Sequence, residues 1–217
     1  VCAAAGCDVR LFDVDEAAVT RGLDRIRSNL EKGIARGKVT EEERDGVLAR
    51  LSTTTVIAEA VSGADLVVEA APESMELKES IFREVDAAAP DHAILATNTS
   101  SLSIDRIASV VGAPERFVGM HFFNPVHIMA LVEVVWGPQT SDETRDAAVD
   151  FSRRLGKEPI VVKDAPGFAS SRLGIVLGPG PDGRHPLGQA LGQLPPVGRG
   201  PDPGGVHARA TPVGGDG

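Results

Sequence analysis

The sequence predicts an α/β protein built on a doubly wound, mostly parallel sheet, and three observations support this fold class. Short apolar strands alternate with helical segments from residue 8 to about residue 164. Several of the strands are apolar on both faces, as in a parallel sheet that helices cover on its two sides. The chain has 217 residues and is rich in aliphatic side chains, so it is long enough to bury a substantial core.

The first elements are the end of a helix, a strand and a helical hairpin. Residues 3–5 favour a helix that ends at Gly6, and an alternating apolar strand follows. From residue 16 to about residue 51, apolar residues recur at helical spacing. Thr40 predicts the cap of a second helix in this stretch, because Glu43 completes a capping box.

The later elements continue the alternation of strands and helices. Helices are expected at about 75–89, 104–110 and 143–155. Strands are expected in TTTVIA (53–58), DLVVEAA (65–71), AILATNTS (93–100), FVGMHFF (117–123), LVEVVW (131–136) and EPIVVKD (158–164).

Three regions follow from this pattern. Residues 1–165 form the α/β domain, and residues 166–178 begin a further helical region. Residues 179–217 are rich in Pro and Gly and lack Lys, Glu, Ile and Phe, so this tail is predicted to be disordered. Because Val1 falls inside an apparent helix, we expect the domain to be truncated at its N-terminus.

Composition excludes several classes of partner. A formal charge of −9 argues against nucleic acid or an anionic membrane as the main partner, since both attract basic surfaces. No apolar run is long enough for a membrane span. Cys2 and Cys7 have no second pair with which to form a disulfide framework or a zinc site. A reducing, cytoplasmic location is expected.

Two motifs bear on dinucleotide binding. GPGPDG, residues 178–183, matches the glycine fingerprint formally, but Pro179 and Pro181 donate no N–H and no strand precedes them. Asp13 ends the first strand, where a Rossmann-like unit places the acid that binds the ribose of NAD. The alternative is that Asp13 caps the following helix. If Asp13 binds ribose, the glycine loop belongs upstream of Val1.

Polar residues interrupt the apolar run HFFNPVHIMALVEVV, residues 121–135. Buried polar groups cost free energy unless they have partners. We therefore expect His121, Asn124 and Glu133 to partner one another or a ligand.

Together with TNTSS (97–101), VVEAAPESMELK (67–78) and KDAPGF (163–168), these residues resemble the 3-hydroxyacyl-CoA dehydrogenase family, in particular its bacterial 3-hydroxybutyryl-CoA members. The resemblance runs from Val1 to about Gly178. It implies an NAD-binding Rossmann domain followed by a helical domain that forms the homodimer and closes over the acyl chain. The implied reaction oxidises the (S)-3-hydroxyl of an acyl-CoA and passes hydride to NAD.

The resemblance assigns the catalytic roles. His121 matches the general base, and imidazole suits that task because it titrates near neutrality. Glu133 matches the carboxylate that orients the ring, and Ser100 and Asn124 match residues that hydrogen-bond substrate or cofactor. The alternative is a buried His–Glu pair that satisfies only itself. His127 matches no family role and is read as structural or exposed.

The binding residues are also carried over by resemblance. Glu73 and Lys78 match contacts to the nicotinamide half of NAD; the alternatives are an ordinary helix start and a solvated surface lysine. The basic residues of the hairpin match positions that bind the phosphates of coenzyme A, although charged helix faces are usually only solvated. They are Lys32, Arg36 and Lys38. Ser171 stands where many relatives carry a substrate-positioning asparagine.

Three functions remain in view. The first is an NAD-dependent 3-hydroxyacyl-CoA dehydrogenase acting on short acyl chains, with a homodimer expected for the complete protein rather than for this chain. The second is a non-catalytic remnant or structural homologue that keeps only the Rossmann shell. The third is a 3-hydroxy acid dehydrogenase that does not use CoA, although such families usually employ a lysine base.

Overall fold

A computed structural model describes residues 1–165 and Phe168. Seven strands and six α-helices lie in this part of the chain, with 3₁₀ turns at Ala3–Ala5 and Pro114–Arg116. None of the described helices combines the length and the apolar character needed to cross a membrane. The helix expected after Pro166, Ser171, the GPGPDG motif and the Pro/Gly-rich tail lie outside the described residues.

The elements alternate as the sequence predicts. The strands are β1 Val9–Phe12, β2 Leu51–Thr54, β3 Leu66–Glu69, β4 Ile94–Thr97, β5 Phe117–Phe122, β6 Leu131–Trp136 and β7 Glu158–Lys163. The helices are α1 Glu16–Ala35, α2 Glu41–Ala49, α3 Ile57–Val61, α4 Met75–Ala88, α5 Ile104–Ala108 and α6 Asp142–Arg154.

The strands form two hydrogen-bonded sheets within the described residues. β1 and β2 pair in parallel, and the other five strands run in the order β3-β4-β5-β6-β7. β3, β4 and β5 are mutually parallel, β6 is antiparallel to β5, and β7 is parallel to β6. The mostly parallel α/β fold is confirmed, although β1 and β3 are not hydrogen-bonded to each other.

The helical hairpin is confirmed as α1 and α2, and its caps explain its boundaries. Asp15 accepts from the N–H of Ala17 at the start of α1. Thr40 and Glu43 form both bonds of the predicted capping box at the start of α2. These bonds satisfy backbone N–H groups that the first turn of a helix leaves unpaired.

The strand predicted in TTTVIA is misplaced by about two residues. β2 begins at Leu51, which pairs with Val9, and it ends at Thr54. The Thr54 hydroxyl accepts from the N–H of Val56 and donates to Glu59, which forms a turn that leads into α3. The apolar pair that follows the threonines therefore leads into and starts a helix.

Two apolar layers cover the five-stranded sheet, as a doubly wound fold requires. One layer contains Phe82, Ile104 and Phe117, and the rings of Phe82 and Phe117 meet edge to face at 4.6 Å. The other contains Val118 and Val132 with residues of α6. Neighbouring strand residues such as Phe117 and Val118 enter opposite layers because side chains alternate along a strand.

Gly119 sits where a strand and a helix approach most closely. A Cβ at this position would lie 2.8 Å from Ile104 Cδ1 and 2.9 Å from Val135 Cβ. We expect Gly119→Ala to lower the free energy of unfolding by about 1–3 kcal/mol, because the packed neighbours must move apart. Urea unfolding measures the loss.

Gly22→Ala in α1 is the matched control. A Cβ there meets nothing within 4 Å, so this variant should be neutral or gain up to about 1 kcal/mol from helix propensity. Equal stability of the two alanine variants would contradict the packing argument.

Candidate active site

The candidate residues gather at the carboxyl edge of the parallel strands. Glu73 follows β3, Ser100 follows β4, and His121 is next to last in β5. Because these strands are parallel, their carboxyl ends lie at one edge of the sheet, where α/β proteins bind ligands. β6 runs in the opposite direction, so its third residue, Glu133, also lies at this edge.

His121 and Glu133 form a hydrogen-bonded pair. The two residues are directly opposite each other in the antiparallel ladder of β5 and β6. His121 Nδ1 lies 2.7 Å from Glu133 Oε2, and the two side chains are 12% and 0% exposed. The predicted contact between them is therefore present. With Nδ1 bonded to the carboxylate, Nε2 is the ring atom left to meet a substrate.

Aromatic rings enclose the imidazole. The ring of Phe123 lies 4.5 Å from that of His121, and the ring of Phe168 lies 6.2 Å away. Phe168 is itself 1% exposed. An apolar surrounding lowers the local dielectric, so the Glu133 carboxylate acts more strongly on a positive charge at the ring.

Glu73 holds the loop that carries Ser100. Its Oε1 lies 2.6 Å from the Thr99 hydroxyl and 3.0 and 3.2 Å from the N–H groups of Ser100 and Ser101. The hydroxyls of Ser100 and Ser101 also reach this oxygen. Partial burial alone would raise the pKa of Glu73, but these hydrogen bonds bring the pKa below its ordinary value.

Lys78 is buried, which overturns the alternative that it is a solvated surface lysine. Its side chain is 1% exposed, and its ammonium bonds Glu69 at 2.7 Å and the carbonyl of Ala71 at 3.0 Å. The other oxygen of Glu69 accepts from the Thr97 hydroxyl at 2.6 Å. Lys78 Nζ also lies 3.8 Å from Glu73 Oε2.

Sequence analysis missed Glu69, the acid at the centre of this cluster. Glu69 is 6% exposed and ends β3. The available signal was its place at the end of the apolar run LVVE, since a buried charge requires a partner of opposite sign. Lys78, nine residues later in α4, is that partner.

Asn98 was also missed, although it lies within the TNTSS motif. Its backbone N–H donates to the carbonyl of Glu69 at 2.7 Å, and its side-chain oxygen accepts from the N–H of Phe122 at 2.8 Å. One residue thus bonds the ends of β3 and β5, the strands on either side of its own.

Asn124 lies in the loop between β5 and β6, just after the strand that carries His121. It is exposed and precedes a cis proline. The Lys157 ammonium holds the same loop by donating to the carbonyls of Val126 and Met129. His127 is exposed, which was one of the two alternatives expected for it.

Asp13 does not cap the following helix, because Asp15 does so. Asp13 is exposed just beyond the end of β1, and its Oδ1 accepts from the N–H of Asp15 at 3.1 Å. Lys32, Arg36 and Lys38 are exposed around the turn of the helical hairpin.

Comparison with known proteins agrees with the geometry. The model of the family "3-hydroxyacyl-CoA dehydrogenase, NAD binding domain" matches residues 1–165. The chain is 43% identical over 169 residues to "Probable 3-hydroxybutyryl-CoA dehydrogenase" of Bacillus subtilis, covering 78% of this chain and 58% of that protein. It is 42% identical over 179 residues to the mitochondrial hydroxyacyl-coenzyme A dehydrogenase of Sus scrofa, covering 80% and 57%.

Solved structures show the same fold. (S)-3-hydroxybutyryl-CoA dehydrogenase PaaH1 from Ralstonia eutropha matches with a TM-score of 0.78 and 39% identity, covering 88% of this chain and 66% of that one. FadB2 of M. tuberculosis matches with a TM-score of 0.76 and 39% identity, covering 79% and 60%. The chain spans somewhat more than half the length of these relatives.

The hydrogen bonds of Glu73 predict an acid-dependent stability. A carboxyl whose pKa is lowered by folding stabilises the protein above its ordinary pKa of 4.5, and this contribution is lost as the pH falls through the lower folded value. We expect Glu73→Gln to cost on the order of 1 kcal/mol at neutral pH, discounted because the side chain is 37% exposed. Urea unfolding across the pH range should show this difference shrinking below pH 4.5.

Glu84→Gln, at an exposed position in α4, is the control and should change little. A difference between Glu73→Gln and the unsubstituted chain that is constant from neutral to acid pH would contradict the role given to the carboxylate.

Proposed function

Because this chain belongs to the 3-hydroxyacyl-CoA dehydrogenase family, we propose that its complete protein oxidises (S)-3-hydroxyacyl-CoA to 3-oxoacyl-CoA with NAD as hydride acceptor. Short acyl chains such as 3-hydroxybutyryl are the proposed substrates, in line with the names of the relatives in Bacillus subtilis and Ralstonia eutropha. The observation that carries the proposal is the 2.7 Å contact between His121 and Glu133 at the carboxyl edge of the sheet.

Asp13 and the residues at the carboxyl edge of the five-stranded sheet fit NAD. Asp13 presents an exposed carboxylate beyond β1, suited to the two ribose hydroxyls and unfavourable for a 2′-phosphate. Glu73 and Ser100 lie in the loops after β3 and β4 and are joined by a 3.0 Å hydrogen bond, and the Lys78 ammonium in α4 lies 3.8 Å from the Glu73 carboxylate. Glu73 and Ser100 would contact the nicotinamide half, and the buried Lys78 would act there through its charge beside Glu73. When bound, NAD supplies the acceptor for the hydride that leaves C3 of the substrate.

His121 acts as the general base in this proposal. Its Nε2 accepts the proton of the 3-hydroxyl while the hydride departs, so the alcohol loses two electrons and two hydrogens and becomes a ketone. Glu133 keeps the Nδ1 proton in place, and its charge stabilises the imidazolium. The proton then passes from the ring to solvent, which returns His121 to its neutral form.

Ser100 and Asn124 orient the reacting oxygen. Ser100 lies on the loop after β4 and Asn124 on the loop after β5, the strand that carries His121. Fixed hydrogen-bonding groups are worth most where charge develops during the reaction. The exposed bases Lys32, Arg36 and Lys38 are proposed to bind the phosphates of coenzyme A, and Ser171 is proposed to help position the substrate. The homodimer and the cytoplasmic location stay predictions.

Substitution of the base tests the proposal. NADH absorbance is followed with (S)-3-hydroxybutyryl-CoA and NAD, using the full chain and a chimera in which residues 9–165 replace the corresponding residues of the Bacillus subtilis relative. We expect turnover by the chimera and a fall in kcat of about 10²–10⁴-fold in its His121→Gln variant. His127→Gln, in the exposed loop, is the matched control and should keep its rate.

A folded chimera that forms no NADH would favour the non-catalytic reading of this domain. Equal rates with 3-hydroxybutyrate and its CoA ester would favour a dehydrogenase that does not use CoA.

Removal of the charge of Glu133 tests the dyad separately. We expect Glu133→Gln to reduce kcat by about 10²-fold or more with a smaller change in KM, because the carboxylate acts on the charged ring in the transition state. Steady-state kinetics of the chimera measure both constants. An unchanged kcat would remove Glu133 from the mechanism while leaving His121 as the base.

A further inference from the structure

We propose that Asn98 is a positioning residue for His121, an inference that rests on the proposed function. Asn98 does not need to touch the substrate to act in this way. It fixes the backbone at the end of the strand from which the imidazole projects.

Among the described residues, the carboxyl end of β5 has no paired strand on the side of β4. The ladder between β4 and β5 pairs residues only as far as Thr97 and Gly119. β5 continues for three more residues, to Phe122, and there it pairs only with β6. His121 lies in this one-sided part, so the backbone that carries it requires another support on the side of β4.

Asn98 supplies that support. Its side-chain oxygen takes the place of a strand carbonyl by accepting the N–H of Phe122 at 2.8 Å. This bond also fixes the orientation of the Asn98 side-chain amide, because only its oxygen, and not its NH₂ group, can accept a hydrogen bond from the Phe122 N–H. The residue itself is held by its backbone N–H, which donates to the carbonyl of Glu69 at 2.7 Å.

Contacts on both sides of β5 therefore hold the imidazole in position. On the side of β6, Glu133 fixes the ring through Nδ1. On the side of β4, Asn98 fixes the backbone one residue after His121. A base must stay within hydrogen-bond reach of the proton it removes, and a displacement of about 1 Å can cost on the order of 10²-fold in rate. Loss of the hydrogen bond from Phe122 to Asn98 should then reduce kcat more than it changes the KM for NAD.

Asn98→Leu removes the acceptor while keeping a side chain of similar size. In the full chain, we expect the Phe122 amide to exchange with deuterium at least 10-fold faster, since its only described acceptor is lost. In the chimera, we expect kcat to fall by about 10–10²-fold and the KM for NAD to change less than 3-fold. Asn98→Asp retains an acceptor and should restore protection of the Phe122 amide.

Thr140→Val is the matched control at the opposite edge of the sheet. The Thr140 hydroxyl accepts from Gly137 N–H at 3.0 Å and donates to the carbonyl of Phe117 at 2.9 Å, so it supports the other end of the same strand. Its loss should lower stability to a similar degree and leave kcat within about 2-fold, because the His121 end of β5 keeps its supports.

Three results would overturn the inference. They are unchanged exchange of the Phe122 amide in Asn98→Leu, an unchanged kcat in that variant, and an equal fall of kcat in Thr140→Val. Failure of the proposed function looks different: the unsubstituted chimera then forms no NADH, and His121→Gln changes nothing. Turnover that depends on His121 but not on Asn98 would leave the function intact and refute the positioning role alone.

Discussion

The antiparallel pairing of β5 with β6 is the constraint on which the site depends. In a fold whose other ladders are parallel, this one reversal sets His121 directly opposite Glu133. A shift of one residue would turn one of the two side chains to the other face of the sheet, because the strand period is two. The buried valines next to Glu133, Val132 and Val134, stabilise this register, because a shift would remove their apolar side chains from the core.

Around this dyad, polar side chains at the ends of β3 and β4 form hydrogen bonds between neighbouring elements. Glu69 joins β3 to β4 and α4, and Asn98 joins β4 to the end of β5. Glu73 joins the loop after β3 to the loop after β4. Parallel strands place these groups at one edge, but their hydrogen bonds determine how rigidly the edge is held. Proton transfer requires such rigid support, because the base must lie within hydrogen-bond distance of the proton before its pKa can have an effect.

Much of the fold was predictable from the sequence because hydrophobic periodicity is a local signal. The strand and helix alternation, the capping box at Thr40 and the contact between His121 and Glu133 were all anticipated and are present. The start of β2 was not, since Leu51 is placed by pairing with Val9, more than forty residues away. The burial of Lys78 was not predictable either, because it depends on the ion pair with Glu69, which sequence spacing does not reveal.

The pair of Glu69 and Lys78 also constrains how this protein can change over time. Either residue alone would leave a charge in a place that solvent does not reach, at a cost of about 3–5 kcal/mol. A well-packed apolar pair of the same volume would carry no such penalty. A lineage can reach that alternative only by two mutations, and the first produces a molecule close to unfolding. The two codons are thus expected to vary together or not at all.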